Sequence, residues 1–207
     1  MKYKRLYIVR HGETEYNRKR MVQGSGIDAP LNDTGRLQAN AFYEAYKDYP
    51  FEKAFVSALI RTHQSIERFT SNGLPCQVES GLNEINWGNK EGSTFSPEAH
   101  NEYQRITNAW INGSLDEAIT DGESPNQVMV RQKVAMQNIL SGNERNVLIC
   151  MHGRAMRILI CWLLGYQLSK MDMFEHANLG LYRLTYTGSI FALDWANETA
   201  HLDGLSS

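Results

Sequence analysis

Two kinds of hydrophobic pattern alternate along the chain. Short apolar runs, which predict buried β-strands, occur at KRLYIV (4–9), KAFVSA (53–58) and VLICM (147–151). Segments whose apolar residues recur every three or four positions predict amphipathic helices at 34–48, 59–70, 97–112, 125–141 and 154–164. This alternation predicts a single-domain, three-layer α/β/α sandwich over residues 1–207, with a mainly parallel central sheet.

Capping residues mark several of the predicted helix ends. Asp33 or Thr34 can cap the first helix, and Gly73 can end the second. Ser96-Pro97 and Ser124-Pro125 each place a capping hydroxyl before a proline at the first helical position, where the missing N–H is no loss.

Weaker strand signals complete the predicted sheet. QVES (77–80) is a short strand candidate. GLYRLTY (180–186) and IFALDWAN (190–197) are joined by Thr-Gly-Ser, so they predict a hairpin at one side of the sheet.

Composition narrows the classes of partner and compartment. The net charge of −2 provides no overall field that favours nucleic acid or an anionic membrane. Three scattered cysteines are too few for a disulfide framework, which favours a reducing cytoplasm. No run approaches the roughly 18 apolar residues of a membrane span. Nothing in the pattern predicts an oligomeric state.

Two junctions share one pattern, in which an apolar strand is followed directly by His-Gly. They are Arg10-His11-Gly12 and His152-Gly153. A single histidine at such a place often only bonds a backbone carbonyl. However, ligands in open α/β sheets bind beyond the carboxyl ends of the strands, so neighbouring strands would bring both histidines to one ligand.

Nearby arginines suggest that this ligand is an anion. A guanidinium offers a planar fork for phosphate or carboxylate oxygens, and Arg10 has no other evident reason to stand where a core strand ends. Arg61 lies just past another predicted strand, beside Ser57, although a solvated helix arginine would look the same. Four glycines would allow backbone N–H groups to approach an anion, namely Gly12, Gly24, Gly26 and Gly153.

Six segments in this order resemble the histidine phosphatase superfamily, the phosphoglycerate-mutase-like phosphatases with the RHG motif. The segments are VRHGETEYN, QGSGIDAPLNDTG, SALIRT, LNEINWGNKEG, DGES and CMHGRAMR. They extend from residue 9 to about residue 157, which is most of the chain.

The resemblance implies a role for each matching residue. His11 would be the nucleophile that becomes phosphorylated, and Glu84 the proton donor. The residues around the phosphoryl oxygens would be Arg10, Arg61 and His152. The implied substrate-contact residues are Asn17, Gln23, Gly24 and Gly153. Glu123 and Ser124 match a GES stretch whose role the resemblance leaves open.

The chemistry of these residue types agrees with that implication. A neutral imidazole is a nucleophile near pH 7 and can form a phosphoramidate, which divides one displacement into two. Two arginines and a second histidine can supply charge around the phosphoryl group without a metal or another cofactor. A phosphate dianion beside Glu84 favours its protonated form, so that the carboxyl can protonate the leaving oxygen.

Departures from the family pattern concern the substrate. Mutases of the superfamily tend to carry additional arginines after the acid, whereas this chain has only Lys90 there, so hydrolysis of a phosphomonoester is favoured over phosphotransfer within one acid. Arg154 and Lys90 remain sources of charge, and Met151 stands where many relatives have a small hydroxyl residue. A sugar phosphate, a nucleotide, ribazole phosphate and a phosphoprotein are all compatible substrates.

An insertion at about 93–127 predicts a helical cap over the pocket and a place for selectivity. Phe95, His100, Tyr103 and Trp110 could line the pocket from this cap, although core packing is the commoner role of aromatic residues at near-helical spacing.

Two other classes of protein stay open at this point. A metal hydrolase could use His11 and His152 with Glu84 or Asp28, although the chain lacks HExxH or CxxC spacing and Arg10 would repel a divalent ion. A non-catalytic module could keep the same pocket only to bind a phosphorylated ligand.

Overall fold

One six-stranded sheet organises the computed structural model, which describes residues 3–94 and 97–205. In chain order the strands are β1 (Lys4–Arg10), β2 (Lys53–Val56), β3 (Cys76–Val78), β4 (Asn146–Met151), β5 (Leu181–Tyr186) and β6 (Phe191–Glu198). Their order across the sheet is β3-β2-β4-β1-β5-β6. β1 to β4 run parallel, and β5 pairs antiparallel with both β1 and β6. The predicted hairpin therefore forms one side of a mostly parallel sheet, as expected.

The described residues also form six helices. They are α1 (Glu15–Arg18), α2 (Asp33–Tyr46), α3 (Ile60–Ser71), α4 (Pro97–Ile111), α5 (Pro125–Ser141) and α6 (Gly153–Leu163). Alternate residues of β1 enter two different cores: Leu6 and Ile8 pack with residues of α5 and α6, whereas Tyr7 and Val9 pack with residues of α2 and α3. Because side chains alternate along a strand, this division shows that both faces of the sheet are covered, and the predicted α/β class is confirmed.

The helix caps differ in part from the sequence prediction. The cap of α2 is Asn32, whose side chain accepts a 2.8 Å bond from the Gly35 N–H, and not Asp33 or Thr34. Asp33 is already the first residue of the helix, so its own backbone cannot adopt the extended cap conformation. Ser124 caps α5 as predicted, with a reciprocal bond from Gln127. Ser96 lies outside the described residues.

Short elements without a clear hydrophobic period were missed by the sequence analysis. Helix α1 is a single turn with no buried residue, and Thr14 and Asn17 form a capping box around it. Four 3₁₀ turns were also missed, at Ser80–Leu82, Gly88–Lys90, Leu168–Met173 and Ala200–Leu202. Hydrophobic periodicity needs more than one turn to give a signal, which explains these omissions. No helix among the described residues is both long enough and apolar enough to cross a membrane.

The adjacency of β1 and β4 creates the site. Their register pairs Arg10 with Met151, the last residue of each strand. Beyond this pair the His11 N–H donates to the Met151 carbonyl at 2.9 Å, so the parallel pairing continues for one more residue. The two His-Gly junctions therefore leave the sheet side by side at its carboxyl edge.

The segment predicted as a cap contains α4 and packs through aromatic rings. Trp110 is fully buried, and its ring centroid lies 5.8 Å from that of Trp87. Tyr103 also contacts Trp87, with centroids 5.4 Å apart. Lys90 pairs with Glu102 of α4 at 2.6 Å. Phe95 lies outside the described residues, as does the side chain of His100, so their predicted pocket roles stay predictions.

Candidate active site

The rings of His11 and His152 lie next to each other, with their centroids 5.1 Å apart. Both side chains are buried, with exposed fractions of 3% and 0%. They come from residues 141 positions apart in the sequence, and only the neighbouring positions of β1 and β4 bring them together. A group the size of a phosphoryl unit would contact both rings.

A backbone bond determines which nitrogen of His11 is free. Its Nδ1 lies 2.7 Å from the Gly12 carbonyl oxygen, which can only accept, so Nδ1 carries the hydrogen and Nε2 keeps its lone pair. Burial lowers the pKa of His11 well below its usual value, and the Arg61 and Arg10 guanidinium groups lower it further. The ring is therefore neutral near pH 7 and presents a nucleophilic nitrogen.

His152 is held by a buried chain of hydrogen bonds. Arg61 Nε donates to its Nδ1 at 3.1 Å, so the hydrogen of the neutral ring is on Nε2, which lies 2.8 Å from Ser57 Oγ. The other two nitrogens of Arg61 donate to the carbonyls of Ile27 at 2.7 Å and Gly24 at 3.2 Å. Arg61 is thus a fully buried positioning group rather than the solvated helix residue that its place in α3 would suggest.

Arg61 and Arg10 provide the positive charge of the site. Burial lowers the pKa of each guanidinium to about 10, so both remain charged at neutral pH. Arg10 NH1 bonds Nδ1 of His176 at 3.3 Å, and its Nε is buried without a partner. An unpaired buried N–H is costly, so Arg10 Nε is available to donate to an acceptor that enters the pocket.

Glu84 lies at the N-terminus of α6. Its Oε1 accepts bonds from the backbone N–H groups of Ile85 at 2.9 Å and Ala155 at 2.8 Å, while Oε2 accepts from Arg154 N–H at 3.1 Å. Helix N-termini attract negative charge, which fixes the carboxylate in this place. Oε2 accepts one hydrogen bond and Oε1 accepts two, so Oε2 is the oxygen with more room for a proton.

The predicted substrate-contact residues Asn17 and Gln23 make mainly local hydrogen bonds. Asn17 Oδ1 caps α1 and lies 3.3 Å from Asn178 Nδ2, which also bonds the His11 carbonyl at 2.9 Å. Gln23 Oε1 accepts a bond from Thr14, whereas its Nε2 is buried without a partner.

The two predicted glycines are needed because neighbouring groups approach closely. A Cβ at Gly24 would lie 2.7 Å from the Ile85 carbonyl oxygen, and the Gly24 carbonyl is one of the acceptors of Arg61. A Cβ at Gly153 would lie 2.7 Å from the His176 ring. Both distances are below any real Cβ contact, so each glycine permits a contact that shapes the site.

Three other candidates stand apart from the histidine pair. Glu123 pairs with Arg131, and Arg131 NH2 also donates to the Glu84 carbonyl at 2.9 Å, so Glu123 is linked to the Glu84 backbone through Arg131. Ser124 caps α5. Asp28 accepts a 2.7 Å bond from the Ile60 N–H at the start of α3. The described residues hold no group of three or more His, Cys, Asp or Glu side chains arranged to bind a metal ion.

The sequence analysis missed two residues with basic side chains that line the site, Arg157 and His176. A cavity of about 230 Å³ is lined by Arg10, Gln23, Glu84 and Gly153 together with Arg154, Arg157 and His176. Arg157 could have been found, because it lies one helical turn after Arg154 in RAMR and shares its face. His176 has no comparable signal, since it lies in a loop after a 3₁₀ turn.

Comparisons with known proteins show which family this chain is similar to. The model of the histidine phosphatase superfamily (branch 1) matches residues 6–199. Fructose-2,6-bisphosphatase TIGAR B of Danio rerio is 37% identical over 65% of this chain and 52% of its own length. The "Probable phosphoglycerate mutase GpmB" of Shigella dysenteriae is 30% identical over 96% of this chain and 94% of its own. The solved mycobacterial glucosyl-3-phosphoglycerate phosphatase superposes with a TM-score of 0.84 at 24% identity, over 95% of this chain and all of that one, which supports the fold.

Proposed function

The chain belongs to branch 1 of the histidine phosphatase superfamily and is a phosphatase, and we propose that it hydrolyses small phosphomonoesters through a phosphohistidine on His11, without a metal ion. The observation that carries this proposal is the 2.7 Å bond between His11 Nδ1 and the Gly12 carbonyl. This bond leaves Nε2 as the only ring atom with a free lone pair. Burial, and then the charges of Arg61 and Arg10, lower the pKa of His11 and keep the ring unprotonated.

In the first step His11 Nε2 attacks the phosphorus, and the bond between phosphorus and the ester oxygen breaks. The leaving oxygen takes a proton from the Glu84 carboxyl, which acts as the general acid. Arg10 and Arg61 balance the charge on the phosphoryl oxygens throughout, and their fixed bonds to His176 and His152 mean that little reorganisation is needed.

In the second step a water molecule attacks the phosphorus, and the bond to Nε2 breaks. Glu84 accepts the water's proton, so the carboxyl returns to its starting state and inorganic phosphate leaves. The neutral His152 ring packs against the His11 ring and restricts its orientation, which keeps the attacking nitrogen in line.

His11→Ala tests the nucleophile directly. We expect the variant to lose p-nitrophenyl phosphate hydrolysis by at least about a thousandfold and to form no acid-labile phosphoenzyme from a ³²P-labelled substrate. His201→Gln is the control, because it removes a different histidine, which is partly buried and packs against Phe42 and Tyr46. This variant should retain activity. Activity of His11→Ala equal to that of the parent would overturn the mechanism and favour the binding-module alternative.

Excess chelator tests the absence of a metal ion. Arg10 lies next to His11, and Arg61 bonds the ring of His152, so a divalent cation would meet two like charges there. We expect full activity of the parent enzyme after exhaustive treatment with a chelator. Loss of activity that returns on addition of one divalent metal would establish the metal-hydrolase alternative instead.

Turnover of a panel of phosphorylated metabolites would identify the natural substrate. The Danio rerio relative is named a bisphosphatase of a sugar phosphate, so sugar phosphates come first on that panel. The Shigella relative is named a mutase, which makes phosphoglycerates the second class. Release of inorganic phosphate identifies a hydrolase, whereas isomerised phosphoglycerate without phosphate release would identify phosphotransfer.

A further inference from the structure

The Arg131 guanidinium uses every one of its hydrogen-bond donors within the protein. Its Nε donates to Glu123 Oε1 at 2.8 Å, and its NH2 donates to Glu123 Oε2 at 3.0 Å. The other three bonds go to backbone carbonyls. NH1 donates to those of Gly81 at 2.8 Å and Asn83 at 2.9 Å, and NH2 donates to that of Glu84 at 2.9 Å. An arginine side chain has five N–H donors, so all of them have an acceptor here.

These three carbonyls belong to residues 81–86, the acid loop, which carries Glu84. Glu123 binds the far end of the same loop: its Oε2 accepts a 2.9 Å bond from the Asn86 N–H, and its own N–H donates to the Asn86 carbonyl at 2.8 Å. The ion pair therefore holds the main chain on both sides of Glu84. We propose that Arg131 and Glu123 are positioning residues for the Glu84 carboxyl. This inference rests on the proposed function, in which Glu84 is the general acid.

A restraint on the main chain matters because the restraint on the side chain changes during the reaction. The Glu84 carboxylate accepts bonds from the backbone N–H groups of Arg154 and Ala155 at the start of α6. A charged acceptor forms bonds roughly twice as strong as a neutral one. Glu84 must carry a proton when it protonates the leaving oxygen, so α6 holds the carboxyl less firmly at that moment. The bonds from Arg131 to the loop carbonyls do not depend on this proton.

Arg131 lies on a helix that also bonds the first turn of α6. The next residue of α5, Gln132, is fully buried, and its Nε2 donates to the Ala155 carbonyl at 2.7 Å. The Ala155 N–H is one of the donors to the Glu84 carboxylate. Neighbouring residues of α5 thus hold the acid loop and the helix turn that faces it. This arrangement fixes the distance between the Glu84 main chain and the pocket, which proton transfer requires.

The same ion pair gives a role to the GES stretch, which the resemblance leaves open. Glu123 supplies the carboxylate, and Ser124 caps α5, the helix that carries Arg131. Gly122 allows a close approach to the acid loop, because a Cβ there would lie 2.8 Å from the Asn86 carbonyl oxygen. The three residues of this stretch therefore place the end of the predicted cap segment against the loop that carries the acid.

Leaving groups of different basicity test the inference on the full-length enzyme. p-Nitrophenyl phosphate releases a stable phenolate that needs little protonation. Phenyl phosphate has a similar shape but releases a more basic oxygen, which needs the acid. Glu84→Gln should therefore reduce kcat/KM for phenyl phosphate about 10- to 100-fold more than kcat/KM for p-nitrophenyl phosphate. Such a selective loss indicates a missing acid, because a smaller fraction of folded enzyme would lower both values equally.

Two variants of the ion pair should show the same selectivity to a smaller degree. Arg131→Lys keeps the charge but has three donors, so it can form at most three of the five bonds. Glu123→Gln keeps the size of the side chain but replaces an acceptor with a donor. In each variant we expect kcat/KM for phenyl phosphate to fall about three- to tenfold more than that for p-nitrophenyl phosphate. Lys133→Met, an exposed position of the same helix, is the control and should leave the ratio of the two values unchanged.

A double variant separates positioning from other effects on the leaving group. With Glu84→Gln already present there is no acid to position, so Arg131→Lys should add no further selectivity. An additional selective loss would show that Arg131 acts by another route and would overturn the inference. Circular dichroism verifies that each variant is folded. If Arg131→Lys does not fold, Glu123→Gln decides.

Failure of the proposed function gives a different result from failure of this inference. A Glu84→Gln variant that lowers both kcat/KM values equally would refute the acid role of Glu84, and the positioning role with it. If Glu84→Gln is selective but a folded Arg131→Lys or Glu123→Gln variant changes both values equally, or changes neither, only the positioning role is overturned. A selective loss in both variants supports it.

Discussion

Ser57→Ala is the most informative perturbation of the buried hydrogen-bond chain, because Ser57 is fully buried and touches no predicted reacting atom. Its Oγ accepts from the Leu59 N–H at 3.1 Å and from His152 Nε2 at 2.8 Å. Thr62 Oγ1, which lies 3.1 Å away, donates to the Leu59 carbonyl and can therefore receive the Ser57 hydroxyl hydrogen. Alanine removes this acceptor and little else.

The magnitude follows from the two donors left without an acceptor. The missing oxygen leaves too small a space for a water molecule, so the N–H groups of Leu59 and His152 stay unpaired. At about 1–3 kcal/mol for each of the two donors, we expect the free energy of unfolding to fall by about 2–6 kcal/mol. The His152 ring also loses one of its two restraints, and the resulting misplacement should reduce kcat/KM about 10- to 100-fold.

Urea unfolding followed by tryptophan fluorescence measures the first quantity, and p-nitrophenyl phosphate hydrolysis the second. Ser141→Ala is the control, because its exposed hydroxyl bonds only the Asn138 carbonyl and its loss should change stability by less than about 0.5 kcal/mol. A Ser57→Ala variant as stable and active as this control would refute the assignment of Ser57 as the partner of His152.

Acid should destabilise the protein through its neutral histidines. Burial and nearby arginines lower the pKa of His11 and His152 well below the usual value and that of His176 to about 3, so the unfolded chain binds protons below about pH 6.5 that the folded chain does not. The free energy of unfolding should be highest above that pH and fall as the pH is lowered to 5, by up to about 1.4 kcal/mol per pH unit for each ring. His176→Gln should make this dependence of stability on pH shallower. A free energy of unfolding that does not change with pH would contradict the pKa directions. Asp28→Ala should reduce the free energy of unfolding by about 1 kcal/mol because it removes the acceptor for the first N–H of α3, and Asp28→Asn should restore most of it. An equal loss in both variants would show that Asp28 does not act as a cap.

Local patterns were sufficient for most of the fold. The sequence analysis predicted the ends of β1, β4, α3, α5 and α6 to within a few residues. The two strands have continuous apolar runs, and the three helices have apolar residues at helical spacing or a capping residue. The predictions were weakest where one turn of backbone depends on a distant contact. Asn32 rather than Asp33 caps α2. The Asn32 side chain also donates to the carboxylate of Glu13, which lies in a different loop.

Candidate residues could be found from sequence when they repeat a pattern, as His11 and His152 do. The supporting residues could not. Arg61 looks like a surface helix residue until the chain folds and encloses it between two carbonyls and His152. His176 reaches Arg10 only because Gly153 has no side chain at the point where the two segments meet.

The sequence by itself determined which segments become strands and helices and that two His-Gly junctions end apolar strands, because these properties depend on neighbours along the chain. Only the tertiary structure decided that β4 lies beside β1, that His11 presents Nε2, and that α6 contributes a second pair of arginines. The reason is physical. Strand order, tautomers and ion pairs depend on atoms brought together from distant parts of the chain, and no local period encodes them.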